Sequence, residues 1–299
     1  MNVSHPSAAK GMFFLIMAQV LVAISIVSAK YLLASLPVLV VLTIRFSLAA
    51  IILLPLHWLS PAKHQSVYQH LSALSRKDWL FMLAQALSAG ILFNALMLMG
   101  LHYTDANIAG IITSALPALI AVMSWLILKE GISRKTFACI ILATLGLLVI
   151  SLTKMQGAET NNSFFGDLLV LLSLFPEAAY YIFTKLHTNK LPIFLVASLI
   201  NGINAFILII TALIVQPDFS NINHYHWLVL IFLGLTAGLF YVFWFFGAKQ
   251  VEGVKASLAT AVMPVATVIF AWALLNEQLS GIELVGMALV IASILIDGI

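Results

Sequence analysis

Glu177, in the stretch LFPEAAYYIF (174–183), is the one acidic residue set in the middle of an apolar run. The chain carries eleven Asp and Glu, and every other one falls in a polar break or near the end of a run. Holding an ionised side chain at mid-depth in a bilayer costs about 2.5–3.5 kcal/mol, so such a group faces a partner or a wet cavity. At helical spacing Ser173, Glu177, Tyr180, Tyr181 and Thr184 share one face, and Pro176 bends the helix and frees a carbonyl. A carboxylate on that polar, aromatic wall has two chemical uses: binding an amine on a substrate, or carrying a proton whose release couples transport. The structural alternative is a pair with Arg45, or an interhelical hydrogen bond that holds the molecule together. Gln19 and Gln85 are the preferred uncharged candidates for the same cavity, with interhelical hydrogen bonding as their alternative. Tyr241 and Trp244, at i and i+3 in YVFWFF (241–246), are spaced to stack on a planar substrate or to pack as an aromatic belt. Arg45 reads as an interhelical or headgroup anchor whose stem reaches an interface.

These side chains need helices that cross a membrane. Of 299 residues 63% are hydrophobic and 8% charged, and the mean hydropathy is +1.10, which excludes an ordinary soluble domain. Runs long enough to cross a hydrocarbon core of about 30 Å are expected near 11–33, 37–58, 79–101, 106–128, 135–153, 165–186, 192–215, 226–248, 254–275 and 280–297. The fold class is therefore an all-α polytopic membrane protein of ten transmembrane helices. The breaks are too short for a folded domain outside the bilayer, and the segment after MNVSHPSAAK reads as a retained first span. The net charge of +3 comes from basic residues scattered over breaks, so no nucleic-acid partner is implied. With the N-terminus in the cytoplasm, 11 of the 14 Lys and Arg fall on the cytoplasmic side, which predicts both termini inside.

The sequence repeats. GLHYTDANIAGIITSALPALIAVMSWLILKEGIS aligns with GAKQVEGVKASLATAVMPVATVIFAWALLNEQLS at an offset of 147 residues, matching Gly100 with Gly247, Trp125 with Trp272 and Glu130 with Glu277. Gly11, Lys30 and Pro37 match Gly166, Lys185 and Pro192 at an offset of 155. Two units, 1–153 and 154–299, follow. Five spans per unit is an odd number, so the second unit enters from the opposite face and the repeats are inverted, the construction of many secondary transporters. Pro117 and Pro264 are repeat mates, and each leaves without a donor the carbonyl four residues earlier, on Thr113 and Thr260. Symmetry-related kinks beside hydroxyls suit either hinges for alternating access or static bends.

Phosphate-loop, HExxH and GxSxG signatures are absent from the sequence, which argues against ATP-driven pumping and hydrolysis, and no cofactor is called for. The eight histidines sit in tails, breaks or span ends, giving no buried metal site, and the single cysteine, Cys139, reads as a small buried hydrophobe.

The duplicated proline-containing fourth helix ending in glutamate (LPALIAVMSWLILKE and MPVATVIFAWALLNE), the Arg45–Phe46 pair and the matched Lys30 and Lys185 resemble the drug/metabolite transporter superfamily, in the form with two EamA-type domains. The likeness covers nearly the whole chain. It departs where Val22-Ala23 and Glu177-Ala178 replace the family's usual tryptophan pairs. The resemblance implies a ten-helix secondary transporter in a bacterial inner membrane, exporting or exchanging small metabolites, amino acids first. A carrier for a nucleoside-like or cationic metabolite such as S-adenosylmethionine is the alternative. A lipid-carrier flippase subunit or a non-transporting scaffold is the rival of another class. Expected partners are a small-molecule substrate, the lipid bilayer and protons as a second candidate, with the oligomeric state left open.

Overall fold

The computed structural model describes residues 6–60, 64, 66–129, 160–187, 191–251, 259–260, 262–278, 280–281 and 284–289, with single positions at 138, 141, 145 and 292. Among them the regular structure is all helical. The long elements are α1 (Pro6–Leu33), α2 (Val38–Leu59), α3 (Arg76–Tyr103), α4 (Ala106–Leu128), α5 (Thr160–Leu186), α6 (Ile193–Val215), α7 (His224–Ala248) and α8 (Val262–Leu275). Seven of the eight are long and apolar enough to cross a membrane, and α8 is a shorter apolar helix. α1–α7 each match an expected span to within a few residues, and α8 lies inside the expected span 254–275, part of which is outside the described residues. The expected spans 135–153 and 280–297 lie almost wholly outside the described residues, as does Cys139.

Side-chain polarity is inverted relative to a soluble protein. Ile51, Phe206, Leu213 and Ile214 are each at least 66% exposed, while Gln19, Asn201, Asn204 and Thr267 are at most 1% exposed. Apolar groups turned outward and polar groups turned inward suit a hydrocarbon solvent, where only helices satisfy every backbone group internally. The protein is an integral, multi-pass membrane protein.

With no hydrophobic drive between helices in lipid, close association depends on small residues that let backbones approach. Gly11 of α1 packs on Gly247 and Gln250, so that a Cβ on Gly247 would lie 2.8 Å from the Gly11 carbonyl oxygen. Gly100 of α3 packs on Gly166 of α5, where a Cβ on Gly100 would lie 2.8 Å from the Gly166 carbonyl oxygen. Gly11 and Gly166 are repeat mates, as are Gly100 and Gly247. The two seams are therefore one contact made twice, at opposite ends of the bundle, which is what inverted repeats require. In each, the first helix of one half meets the third helix of the other.

Smaller features repeat with them. Lys129 and Asn276, mates at the same offset, both close their helices in the left-handed conformation, with φ of 57° and 55°. Their neighbours Trp125 and Trp272 are 51% and 63% exposed, as expected of interfacial anchors. The Glu277 carboxylate accepts from the backbone N–H of Ala106 (3.1 Å) and Asn107 (2.8 Å), capping the positive end of α4. At that face Lys30 Nζ donates to the carbonyls of Leu101 (2.7 Å) and Thr104 (2.8 Å), and Thr104 Oγ1 donates to Asp167 at 2.5 Å. At the opposite face His187 meets Asp78 at 2.6 Å and stacks on Phe81 at 4.7 Å, tying α5 to α3.

Candidate functional site

The site begins with a defect in α3. Residues Ala86–Leu92 form a π-helical segment, a wide turn that disturbs the ladder of backbone hydrogen bonds. Asn94 covers the carbonyls there, its Nδ2 donating to Ala89 (2.9 Å) and Gly90 (2.7 Å). That fixes the amide's orientation and leaves Oδ1 to accept from Arg45 Nη1 of α2 at 2.7 Å. The Arg45 side chain also lies over the Phe46 ring, 5.5 Å from its centroid. Arg45 is 8% exposed and its Nε has no hydrogen-bond partner. The bond to Asn94 joins α2 to α3, which matches the interhelical of the two anchoring roles set out for it.

Across from it, on α5, Glu177 is 4% exposed. One turn on, the Tyr181 hydroxyl accepts a long 3.4 Å bond from Gln19 Nε2 of α1. The rings behind them interlock edge to face: Tyr181 on Trp244 at 4.6 Å, Tyr180 on Tyr241 at 6.0 Å and on Tyr181 at 5.6 Å. Ser173 and Thr184, expected on the same polar face, instead return their hydroxyls to carbonyls of their own helix, Val170 and Tyr180.

Glu177 and Arg45 line one pocket between the halves, together with Ser25, Asn94, Thr236 and Tyr241. The space in it open to the centre of a water molecule is about 20 Å³, enough for one or two ordered waters and too little for a metabolite without opening. The pocket lies on the pseudo-dyad. Its wall contains both members of four repeat pairs: Val22 with Glu177, Ala89 with Thr236, Phe93 with Phe240, and Asn94 with Tyr241.

Of the residues singled out from sequence, Glu177, Tyr241 and Arg45 are on the pocket wall. Gln19, Tyr180, Tyr181 and Trp244 are buried behind Glu177 as its support. Gln85 is 2% exposed with Oε1 unpartnered and is not on the wall. Ser25 and Thr236, hydrogen-bonded to each other at 2.7 Å, were invisible in the sequence, because hydroxyls are common in membrane helices. Asn94 carried a usable signal: the repeat sets it opposite Tyr241, making that level polar in both halves.

The symmetric prolines occupy two different settings. α4 breaks at Ser114–Ala115, and Pro117 sits in the first turn of the segment Leu116–Met123 that follows. Thr113 Oγ1 donates to the Gly110 carbonyl at 2.5 Å. Pro264 lies in the first described turn of α8, after Thr260. The two helices touch where Gly110 packs on Thr267, 2.7 Å from the position a Cβ would take. Among the described residues no three His, Cys, Asp or Glu side chains are grouped to hold a metal ion.

This architecture has relatives. The uncharacterized transporter YetK of Bacillus subtilis (strain 168) is 27% identical over 284 residues, covering 93% of this chain and 84% of that protein. The uncharacterized transporter YyaM of the same organism is 28% identical over 207 residues, 68% of each chain. A protein of known crystal structure shares the fold, with a TM-score of 0.67 at 14% identity over 97% of this chain and 95% of that one. Residues 9–152 and 164–296 each match the EamA-like transporter family, two copies that together span nearly the whole sequence, and the chain belongs to that family.

Proposed function

We propose that this protein is a secondary active transporter, an exporter or exchanger of amino acids or related zwitterionic and amine compounds, and that Glu177 binds the substrate's cationic group. One observation carries the reading: a carboxylate, 4% exposed, lines a polar pocket whose wall pairs residues of both repeats. A buried acid in that setting is poised to take a cation. Alternating access comes from the two units, 1–153 and 154–299, rocking about that pocket, with the break before Pro117 and its counterpart at Thr260 and Pro264 as hinges. Tyr241 in the wall, backed by Tyr180 and Trp244, gives an apolar or aromatic substrate a surface to lie on. The membrane is a bacterial inner membrane, with both termini in the cytoplasm, as the distribution of Lys and Arg favours.

The test is a thermal-stability screen of the purified protein against amines and amino acids, since a ligand bound to the folded state raises its apparent stability. Amine-bearing compounds are expected to raise the melting temperature of the native protein and to lose that effect in Glu177→Gln. Retention of every response in the variant removes Glu177 as a recognition group. A variant that binds normally but no longer couples transport to a proton gradient assigns the carboxylate to the proton instead.

A further inference from the structure

Arg45 raises the complementary question, because a guanidinium is charged at every physiological pH and its burial has to be offset by something. We propose that Arg45 is the anion-binding group of the same pocket, holding a carboxylate on the substrate while Glu177 holds its amine. This rests on the transport reading above and narrows it to molecules with both charges.

Three observations carry the proposal. Arg45 lines the pocket, is 8% exposed, and makes no ion pair among the described residues. Its Nη1 is committed to Asn94, whose own amide is fixed by two carbonyls of the π-helical segment, so the guanidinium cannot swing freely. Its Nε–H is left without an acceptor. An arginine fork takes a carboxylate with two parallel N–H donors, and Asn94 leaves most of this fork unused. The simplest internal alternative is that Arg45 is neutralised by Glu177 across the pocket. The two share the pocket, yet no ion pair joins them. A bound molecule that bridges them neutralises both charges, which neither residue achieves for the other here. A buried charge left without a counter-charge is costly, so this arrangement holds the empty protein in a state that a ligand with both charges relieves. Asymmetry supports the same conclusion: the repeat mate of Arg45 is Ile200, so no second cation offers a competing anion site across the dyad.

The experiment uses the full-length protein and matched probes on two scaffolds. L-leucine and L-phenylalanine are compared with their amides, which lack the carboxylate, and with 4-methylpentanoate and 3-phenylpropanoate, which lack the amine. Binding is measured by thermal stabilisation and by calorimetry in the native protein, Arg45→Gln, Arg45→Lys and Asn94→Asp. In the native protein the free amino acid is expected to bind at least tenfold more tightly than its amide. Arg45→Gln abolishes that preference, a loss of about 10- to 100-fold for a charge-assisted pair. Arg45→Lys keeps the charge without the fork and retains part of it. Asn94→Asp supplies an internal carboxylate beside Arg45, so this variant is expected to melt higher than the native protein without ligand and to ignore carboxylates. It also keeps the test open should Arg45→Gln fail to fold. An unchanged preference in Arg45→Gln, or an Asn94→Asp variant that still prefers carboxylates, overturns the assignment. Amides binding as well as amino acids in the native protein overturns it while leaving the Glu177 reading intact. The converse result, carboxylates bound through Arg45 with no response to any amine, removes the Glu177 reading and keeps this one. If no probe binds, both fall.

Discussion

The glycine seams and the central pocket are built from the same duplicated helices, yet they treat the repeat in opposite ways. At the seams both copies keep the residue: Gly11 and Gly166, Gly100 and Gly247. In the pocket Phe93 and Phe240 match, but the polar positions diverge from their mates. Glu177 has Val22 as its mate, Thr236 has Ala89, Asn94 has Tyr241 and Arg45 has Ile200, and behind the wall Gln19 has Leu174. Backbone packing admits one solution wherever two helices must touch, so both copies hold it. A cavity that binds one asymmetric molecule needs charges of opposite sign at different places, and a faithful repeat supplies the same charge twice. On the proposed function, kept symmetry belongs to backbone packing and its loss to recognition of the substrate.

Breaking the symmetric part should have the largest effect. A Cβ on Gly247 would meet Leu15 Cγ at 2.5 Å, and one on Gly100 would meet Val170 Cγ2 at 2.7 Å. Alanine at either position gains about 1 kcal/mol in helix propensity. Overpacking costs about 1–3 kcal/mol, and more where backbone oxygen is in the way. Gly100→Ala and Gly247→Ala should therefore lower the melting temperature in detergent, and Val at either position should lower it further. Alanine variants that melt with the native protein would mean that the seams are loose and the contact is not what joins the halves.

Making the pocket symmetric should affect binding and leave the fold. Glu177→Val installs the residue that Val22 already contributes on the other side. Removing a buried, unpaired acid relieves its desolvation cost, which offsets the small void left by the shorter valine. The expected outcome is an unfolding midpoint within about 1 kcal/mol of the native value and loss of every amine response in the stability screen. A collapse in stability would instead make Glu177 a strut between helices.

How far the sequence could be read follows the same division. The matched glycines, the paired glutamates Glu130 and Glu277, and most helix limits were legible because hydropathy and the repeat report backbone demands directly. Residue Glu130 itself lies outside the described residues. Glu177 was legible as well, since a lone acid in an apolar run has few explanations. Arg45 was read as an interhelical or headgroup anchor, and its partner was not legible, because sequence alone does not say that a π-helical turn forms in α3 and turns Asn94 toward it. Gln85 was grouped with the pocket on polarity alone, and helical rotation takes it off the wall. Long-range orientation of this kind depends on how α2, α3 and α5 cross, which no local pattern encodes.

The smallest effect expected is at the Ser25–Thr236 bond. Thr236 Oγ1 donates to the Leu233 carbonyl at 3.0 Å within its own helix, so Ser25 is left as the donor to it at 2.7 Å, joining α1 to α7 across the halves. Thr236→Ala copies its mate Ala89 and strands the Ser25 hydroxyl, 3% exposed, at the pocket edge. One lost hydrogen bond is worth about 0.5–1.5 kcal/mol, and a stranded hydroxyl adds to that unless water reaches it. Because the pocket has room for a water, the single variant should lose no more than about 1 kcal/mol. The double variant with Ser25→Ala should then lose less than the sum of the two singles. A coupling energy near zero in that cycle would show that the hydroxyls meet only in passing, and the pocket wall would then owe its closure to packing alone.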